Sequence, residues 1–311
     1  MLNELNHPSV RDLAWCFLSP PLLSRDELPE HVVEPELSET VLAALEPHIR
    51  ALDHDPSELE DFLGERPTRR VGRYFEQLVE YGLSRAGIKL LATNYQLHHG
   101  KRVIGELDYL FEHEGQVEHW ETAIKFYLEH ESSESLSHFV GPNAADNLGL
   151  KVARILDHQL PMGQHPATQE IEALAGRPVN SRAFVRGRLF YHHARSSESL
   201  APSPVSPGHL VGWWRFAKEL PLPDHSSSHG WIKADKPCWL APLRVLASSN
   251  DGVMTDGSVN NFVADHFAQE HYPLLMVEVR RMGAYWEEVS RGFIVNNAWP
   301  APNPPKPLTP S

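Results

Sequence analysis

Two rhythms of apolar and polar residues run along this chain. From Arg102 to Leu128 the rhythm is that of extended strands: Ile104, Leu107, Tyr109, Leu110 and Phe111 surround Glu106 and Asp108. After the polar connector HEGQ, Trp120, Ala123, Ile124, Phe126 and Tyr127 surround Glu121 and Lys125. The pattern predicts two strands joined by a tight hairpin at Gly115. Side chains on a strand alternate faces, so Glu106 and Asp108 share one face of the first, and Glu121, Ala123 and Lys125 one face of the second. If those faces coincide, carboxylates and an ammonium meet where burial is expected, which is costly unless they pair or bind a cation.

Helical spacing dominates elsewhere. Val10, Leu13, Ala14 and Phe17 predict a helix capped by Ser9 and ended by Pro20 and Pro21, and Val41, Leu42, Leu45 and Ile49 predict another from Ser38 to about Leu52. Both read as a cap over the core. From Thr68 to about Ala86, Val71, Phe75, Leu78, Val79 and Leu83 form a buried stripe flanked by Glu76 and Glu80. IKLLATNYQLHHG then reads as a strand that precedes the hairpin. Beyond the hairpin, Leu148, Val152, Ile155 and Leu156 predict a helix with Asn143 as its cap, and residues 182–192 one more strand with Arg186 and Arg188 on a shared face. Helix, three strands, helix, strand is an α/β order, and the helix that returns to the sheet requires at least one parallel pairing.

The same reading divides the chain into an N-terminal helical cap (1–67), an α/β core (68–195), a Ser/Pro-rich linker (196–208), a strand-rich extension (209–299) and a flexible tail (300–311). In the extension, HLVGWWRF, WIKADKPCWLAPLRVL, YPLLMVEVRR and WEEVSRGFIVNNAWP are strand-prone, with a helix from Ser258 or Asn260 to about Gln269. Trp213, Trp214, Trp231 and Trp239 are expected in the core rather than stacked on bases. Glu278, Val279 and Arg280 echo a carboxylate and cation pair but lack an acidic strand before them and read as structural.

Composition narrows the possibilities. With 41% apolar and 22% charged residues this is an ordinary soluble composition, and a net charge of −13 argues against an extended grip on a polyanion. Cys16 and Cys238 lie far apart without a CxxC, so reduced thiols and a cytoplasmic location are expected. Neither a secretory leader nor a membrane span is read in the chain. His98/His99 and His192/His193 are weak zinc signals, because neighbours on a strand point to opposite faces. No Walker A or GxGxxG segment suggests nucleotide binding.

The hairpin itself leaves two alternatives. Asp108 and Lys125 form a cross-strand ion pair with Glu121 in solvent, or the charged groups converge on a divalent cation. The element order, with an acid on the second strand and an acid plus lysine on the third, resembles the PD-(D/E)XK nuclease superfamily over residues 68–192. VGRYFEQLVEYGL, GELDYLF, HWETAIKFYL, GPNAADNLGLKVARILDHQL and RGFIVNNAWP, spread over nearly the whole chain, resemble a bacterial family known as domain of unknown function 1853.

The superfamily resemblance implies a restriction-endonuclease-like core and a metal-dependent nuclease that hydrolyses phosphodiester bonds of DNA or RNA with Mg²⁺ or Mn²⁺. Under it Asp108, Glu121 and Glu76 are the metal-binding acids, Lys125 is the motif lysine, and Arg186 and Arg188 contact the substrate phosphate. The chain departs from the pattern at Ala123, where an acid usually stands two residues before the lysine. Glu121, the nearest acid on that face, lies about 6–7 Å further along the strand. The alternative is a catalytically inactive descendant acting as a nucleic-acid or protein interaction module.

Overall fold

A computed structural model describes residues 1–28, 31–32, 35–195, 201–222, 228–248, 252–254 and 258–301. Residues 196–200 of the expected linker and 302–311 of the expected tail lie outside these. The elements in chain order are α1 (Pro8–Leu18), α2 (Pro35–His54), α3 (Ser57–Glu65), α4 (Val71–Arg85), β1 (Lys89–His99), β2 (Arg102–His113), β3 (Gln116–Glu129), β4 (Phe139–Val140), α5 (Leu148–Arg154), α6 (Pro166–Gln169) and β5 (Val179–His192). They continue as β6 (Leu210–Phe216), β7 (His229–Lys233), β8 (Arg244–Leu246), α7 (Ser258–Gln269), β9 (Leu274–Met282) and β10 (Tyr285–Val295). The expected order of helix, three strands, helix and strand is present, and the fold is mixed α/β. Sequence reading missed α3, whose single fully buried residue, Leu59, gives too narrow a stripe to register as periodic.

The ten strands among the described residues belong to one sheet, with the main order β1-β2-β3-β5-β6-β10-β9-β7, β4 on β3 and β8 on β10. Its centre is parallel, since β3 pairs with β5, β5 with β6 and β6 with β10 in the same sense. Its flanks are antiparallel. The strands expected in a C-terminal extension are thus continuous with the core sheet. Glu114 and Gly115, at φ 49 and 76, turn β2 into β3 between the paired His113 and Gln116. Positive φ at both loop residues is the type I′ geometry whose twist matches that of the strands.

Helices cover both faces. On one, α1, α2 and α4 bury Leu13, Phe17, Leu45, Phe75 and Leu78 against Tyr109, Phe111, Trp120 and Phe184. On the other, Leu148, Val152, Ile155 and Leu160 pack on Tyr127, Ala183, Val185 and Leu189. A third cluster under the C-terminal strands holds Phe190, Trp214, Trp286 and Phe293. Trp214 and Trp231 are core residues, 3% and 5% exposed, and Trp213 is partly buried with its Nε1–H donating to Ser290 Oγ.

Two helix starts differ from expectation. Pro8 occupies the first turn of α1, so His7 rather than Ser9 stands at its cap position, and Ser9 Oγ meets His7 Nδ1 at 3.0 Å inside that turn. Asn147 rather than Asn143 caps α5, its Oδ1 accepting the Leu150 N–H at 2.9 Å. Residues 141–146 form a turn instead, with Ala144 at φ 54 and the Gly141 N–H donating to Asp146 O. The expected long helix is also interrupted: after α5 the chain makes a π turn (Ile155–Gln159) and a 3-10 turn (Leu160–Gln164) that admits Pro161.

Candidate functional site

The site forms where β2 leaves β3. The ladder between them runs from His113↔Gln116 to Tyr109↔Trp120 and stops. Leu107 and Leu110 both pack in one apolar cluster, whereas Tyr109 and Phe111 pack in another. Strict alternation puts residues three apart on opposite faces, so β2 is irregular between Leu107 and Leu110, which brackets Asp108. On the neighbouring strand, Asn94 lies between the pairs Thr93↔Tyr109 and Tyr95↔Leu107 and has φ 48. Asp108 Oδ2 takes over where the ladder ends, accepting the Thr122 N–H at 2.8 Å and Thr122 Oγ1–H at 3.1 Å. From Glu121 to Tyr127, on the side that β2 has left, β3 has no strand partner among the described residues until Leu128 meets Val140.

Glu121, Ala123 and Lys125 lie on the α5 side of the sheet. Glu121 is only 3% exposed. Gln159, in the π turn, donates a short hydrogen bond to Glu121 Oε1, and Oε2 has no hydrogen-bond partner. The carboxyl is pushed up to about 9, first by burial and then by the charge of Asp108. Asp108, partly accessible at the end of the ladder, is pushed up to about 6 by burial, with Glu76 and Glu106 adding repulsion and the Thr122 bonds opposing it. Burial lowers the Lys125 ammonium, and nearby Lys151 lowers it further, while Asp146, Glu121 and Asp108 pull it back up. Asp108, Glu121 and Lys125 therefore lie within mutual electrostatic reach, and Glu76 bears on the two acids. Neither the simple Asp108–Lys125 ion pair nor a solvent-facing Glu121 describes the arrangement.

The open edge of β3 faces a cavity of about 380 Å³ lined by Lys125, Arg70, Lys151, Lys236, Asp146 and Trp239 among others. Lys151 pairs with Asp146 at 2.9 Å. Four cations against one carboxylate make this wall locally basic on a chain of net charge −13.

Glu76, on α4, is held by Arg73 at 2.7 Å, and Arg73 also reaches Asn94. Its backbone carbonyl accepts the Tyr109 hydroxyl, which ties α4 to β2. Arg186 does not front the site. It is 3% exposed, stacks over Phe184 and donates to Cys16 O and Ser38 Oγ, so burial fixes it as a bolt between β5 and the N-terminal helices. Arg188 donates to Val211 O at 2.6 Å, and the charged groups that bear on it are Arg291 and Glu288 rather than the acids of the hairpin. A phosphate contact from either arginine does not fit these partners.

Sequence reading passed over Gln159, Thr122 and His119. His119 is fully buried, lies two residues before Glu121 on the same face, and places its Nε2 3.9 Å from Glu121 Oε2. The spacing EHWE was the visible signal; the contribution of Gln159 has none, because it depends on the path of the π turn.

The donor set suits a hard divalent cation: carboxylate oxygens on β2 and β3, with one buried Glu121 oxygen left without a hydrogen-bond partner. Asp108, Glu121 and Glu76 do not bring three ligand atoms within 4.8 Å of one another; among the described residues only His192, His193 and Glu219 do. The expected reason for discounting the His192/His193 pair therefore fails, since β5 ends at His192 and strand alternation does not govern His193.

No helix among the described residues is long and apolar enough to cross a membrane. Neither a curated protein nor a solved structure matches the chain. A family model described as domain of unknown function (DUF1853) matches residues 11–295, a span that takes in most of the helical cap, the hairpin, the cavity and the C-terminal strands, and the chain belongs to that family.

Proposed function

We propose that the protein is a PD-(D/E)XK-like nuclease that hydrolyses phosphodiester bonds of DNA or RNA with Mg²⁺ or Mn²⁺. The observation that carries this reading is the parting of β2 from β3 at Asp108, which leaves an unpaired edge of β3 whose Lys125 lines a cation-rich cavity. Asp108 and Glu121 would hold the metal, and Glu76, whose charge bears on both, would add a third carboxylate. Mg²⁺ keeps several waters, so two carboxylates suffice to retain it. When bound, the metal lowers the pKa of a coordinated water and polarises the phosphate.

The chain's own groups do the rest. Lys125 offsets charge that builds on the phosphoryl oxygens, and partial burial strengthens that interaction relative to water. Arg70, Lys151 and Lys236 guide the backbone of the substrate along the cavity, in place of Arg186 and Arg188. Thr122 keeps Asp108 oriented by donating two hydrogen bonds to one oxygen and leaving the other free.

The test is cleavage of end-labelled single- and double-stranded DNA and RNA by the purified protein with Mg²⁺ or Mn²⁺. Loss of metal-dependent cleavage in both Asp108→Ala and Lys125→Ala is expected; cleavage that survives both sinks the assignment. A second reading, an inactive descendant that binds nucleic acid or protein, is favoured by Ala123 and by the net charge of −13. Calorimetric titration separates the two, because the inactive descendant shows no Asp108-dependent binding of Mn²⁺ at millimolar concentration.

A further inference from the structure

The last residue of β5, its successor and a glutamate beyond β6 meet at the surface, away from the hairpin. His192 Nε2 lies 3.1 Å from both Glu219 oxygens, and His193 Nε2 lies 3.7 Å from Glu219 Oε1. One ligand atom from each of the three residues falls within 4.8 Å of the others. Donors around a tetrahedral zinc ion, at about 2.0–2.2 Å from the metal, stand roughly 3.4 Å apart. The two histidine-to-glutamate spacings straddle that value.

Each ligand is held by a group that is not itself a ligand. Glu219 Oε2 accepts the Phe216 N–H at 2.7 Å, which fixes the carboxylate over the short 3-10 turn Ala217–Glu219. The His192 ring packs edge-on to Trp214 with centroids 4.7 Å apart. The His193 backbone N–H donates to Trp214 O at 2.9 Å, which places its side chain beside that of His192. Arg215, whose charge bears on both His193 and Glu219, donates to the backbone carbonyls of Glu219 and Pro221 and not to the carboxylate. Among the described residues the ion-pair partners of Glu219 are the two imidazoles alone. Such second contacts orient ligands in metal sites generally.

We infer that His192, His193 and Glu219 form a binding site for a late first-row divalent metal of the zinc class, with remaining coordination positions open to solvent. Two imidazoles and one carboxylate favour such a metal over Mg²⁺, which prefers an all-oxygen set. The side chain of His193 is 29% exposed, so the ion enters and leaves from water. Bound metal clamps the turn after β6 to the end of β5 and stabilises the folded chain by mass action. The site is chemically and spatially separate from Asp108 and Glu121 and does not rest on the nuclease reading.

The experiment is calorimetric titration of the metal-stripped full-length protein with Zn²⁺, alongside His193→Ala, Glu219→Gln and Asp108→Ala, with thermal unfolding of each at saturating Zn²⁺. One equivalent of Zn²⁺ is expected, weakened at least about 10-fold by His193→Ala and by Glu219→Gln, unchanged by Asp108→Ala, and accompanied by a rise in Tm that both site variants lose. Glu219→Gln keeps an acceptor for Phe216, and His193 is at the surface, so at least one variant folds. The inference is overturned by no binding at micromolar Zn²⁺, by equal affinity in His193→Ala, or by loss of binding in Asp108→Ala.

Discussion

Asp108 Oδ2 and the Thr122 amide, 2.8 Å apart, hold together two strands that have already stopped pairing. A side chain supplies the acceptor that a backbone carbonyl would supply one step earlier in the ladder. The consequence is an open edge on β3 that is still anchored, with Lys125 lining the cavity.

Asp108→Asn keeps an acceptor for the Thr122 N–H while it removes the charge, and Asp108→Ala removes both. The Asn variant is expected to unfold no more readily than the parent at pH 7 and to lose cleavage by at least about 100-fold, as for loss of a principal electrostatic group. The Ala variant, which leaves a backbone donor unpaired, is expected to lose a further 1–3 kcal/mol or about that much in urea unfolding. A cleaving Asn variant refutes the metal-binding role.

Gln159 donates to Glu121 Oε1, and Oε2 has no hydrogen-bond partner; on the nuclease reading Gln159 orients a metal-binding acid. Gln159→Ala is expected to weaken Mn²⁺ binding by about 10-fold or more. Tighter Mn²⁺ binding in that variant, read by calorimetry, contradicts this and marks the hydrogen bond as a competitor of the metal.

Gly187 lies opposite Lys125 in the parallel pairing of β3 and β5, at φ 152. A Cβ there would overlap the Lys125 carbonyl oxygen, so backbone must move to admit it. Gly187→Ala is expected to cost several kcal/mol, on the order of 3, and to disturb the lysine directly. Circular dichroism with urea titration measures the first effect, and the cleavage rate of the folded fraction the second. A variant as stable as the parent shows that the strand pair yields easily.

Asp12, buried in α1, accepts the Tyr74 hydroxyl at 3.0 Å and the Ala241 N–H at 2.9 Å, which joins the first helix to the C-terminal half. Burial pushes its carboxyl up to about 7, against the opposing effect of those bonds and of Arg291 and Arg11. A raised carboxyl means that between pH 4 and 7 the folded chain holds a proton the unfolded chain has released. This contribution to stability is full at the acid end and falls as pH rises through about 7. Asp12→Asn is expected to remove that slope, and its advantage over the parent grows from pH 4 to 8 toward at most about 4 kcal/mol. Parallel urea titrations across that range check it; curves that keep a constant separation rule it out.

Much of the architecture was legible because its causes are local. A period of two around Glu106, Asp108, Glu121 and Lys125 requires extended chain, Gly115 permits the turn, and the stripe from Val71 to Leu83 requires a helix. The parallel pairing of β3 with β5 followed from a helix between them. Those same patterns placed Asp108, Glu121 and Lys125 on adjacent strands, and the charges of Asp108 and Glu121 bear on Lys125.

Tertiary structure decided the rest, for reasons of distance along the chain. Alternation does not say that β6 joins β5 and β10, since any apolar strand offers the same edge groups, so the C-terminal strands were read as an extension rather than as part of the same sheet. Arg186 and Arg188 share the look of surface arginines, and only the packing of α1 over β5 buries the first. Nothing in a sequence rhythm aims Gln159 at Glu121 or gathers Glu219 with His192 and His193, because hydrogen-bond geometry at that range is set by where turns and helices dock, and periodicity carries no record of docking.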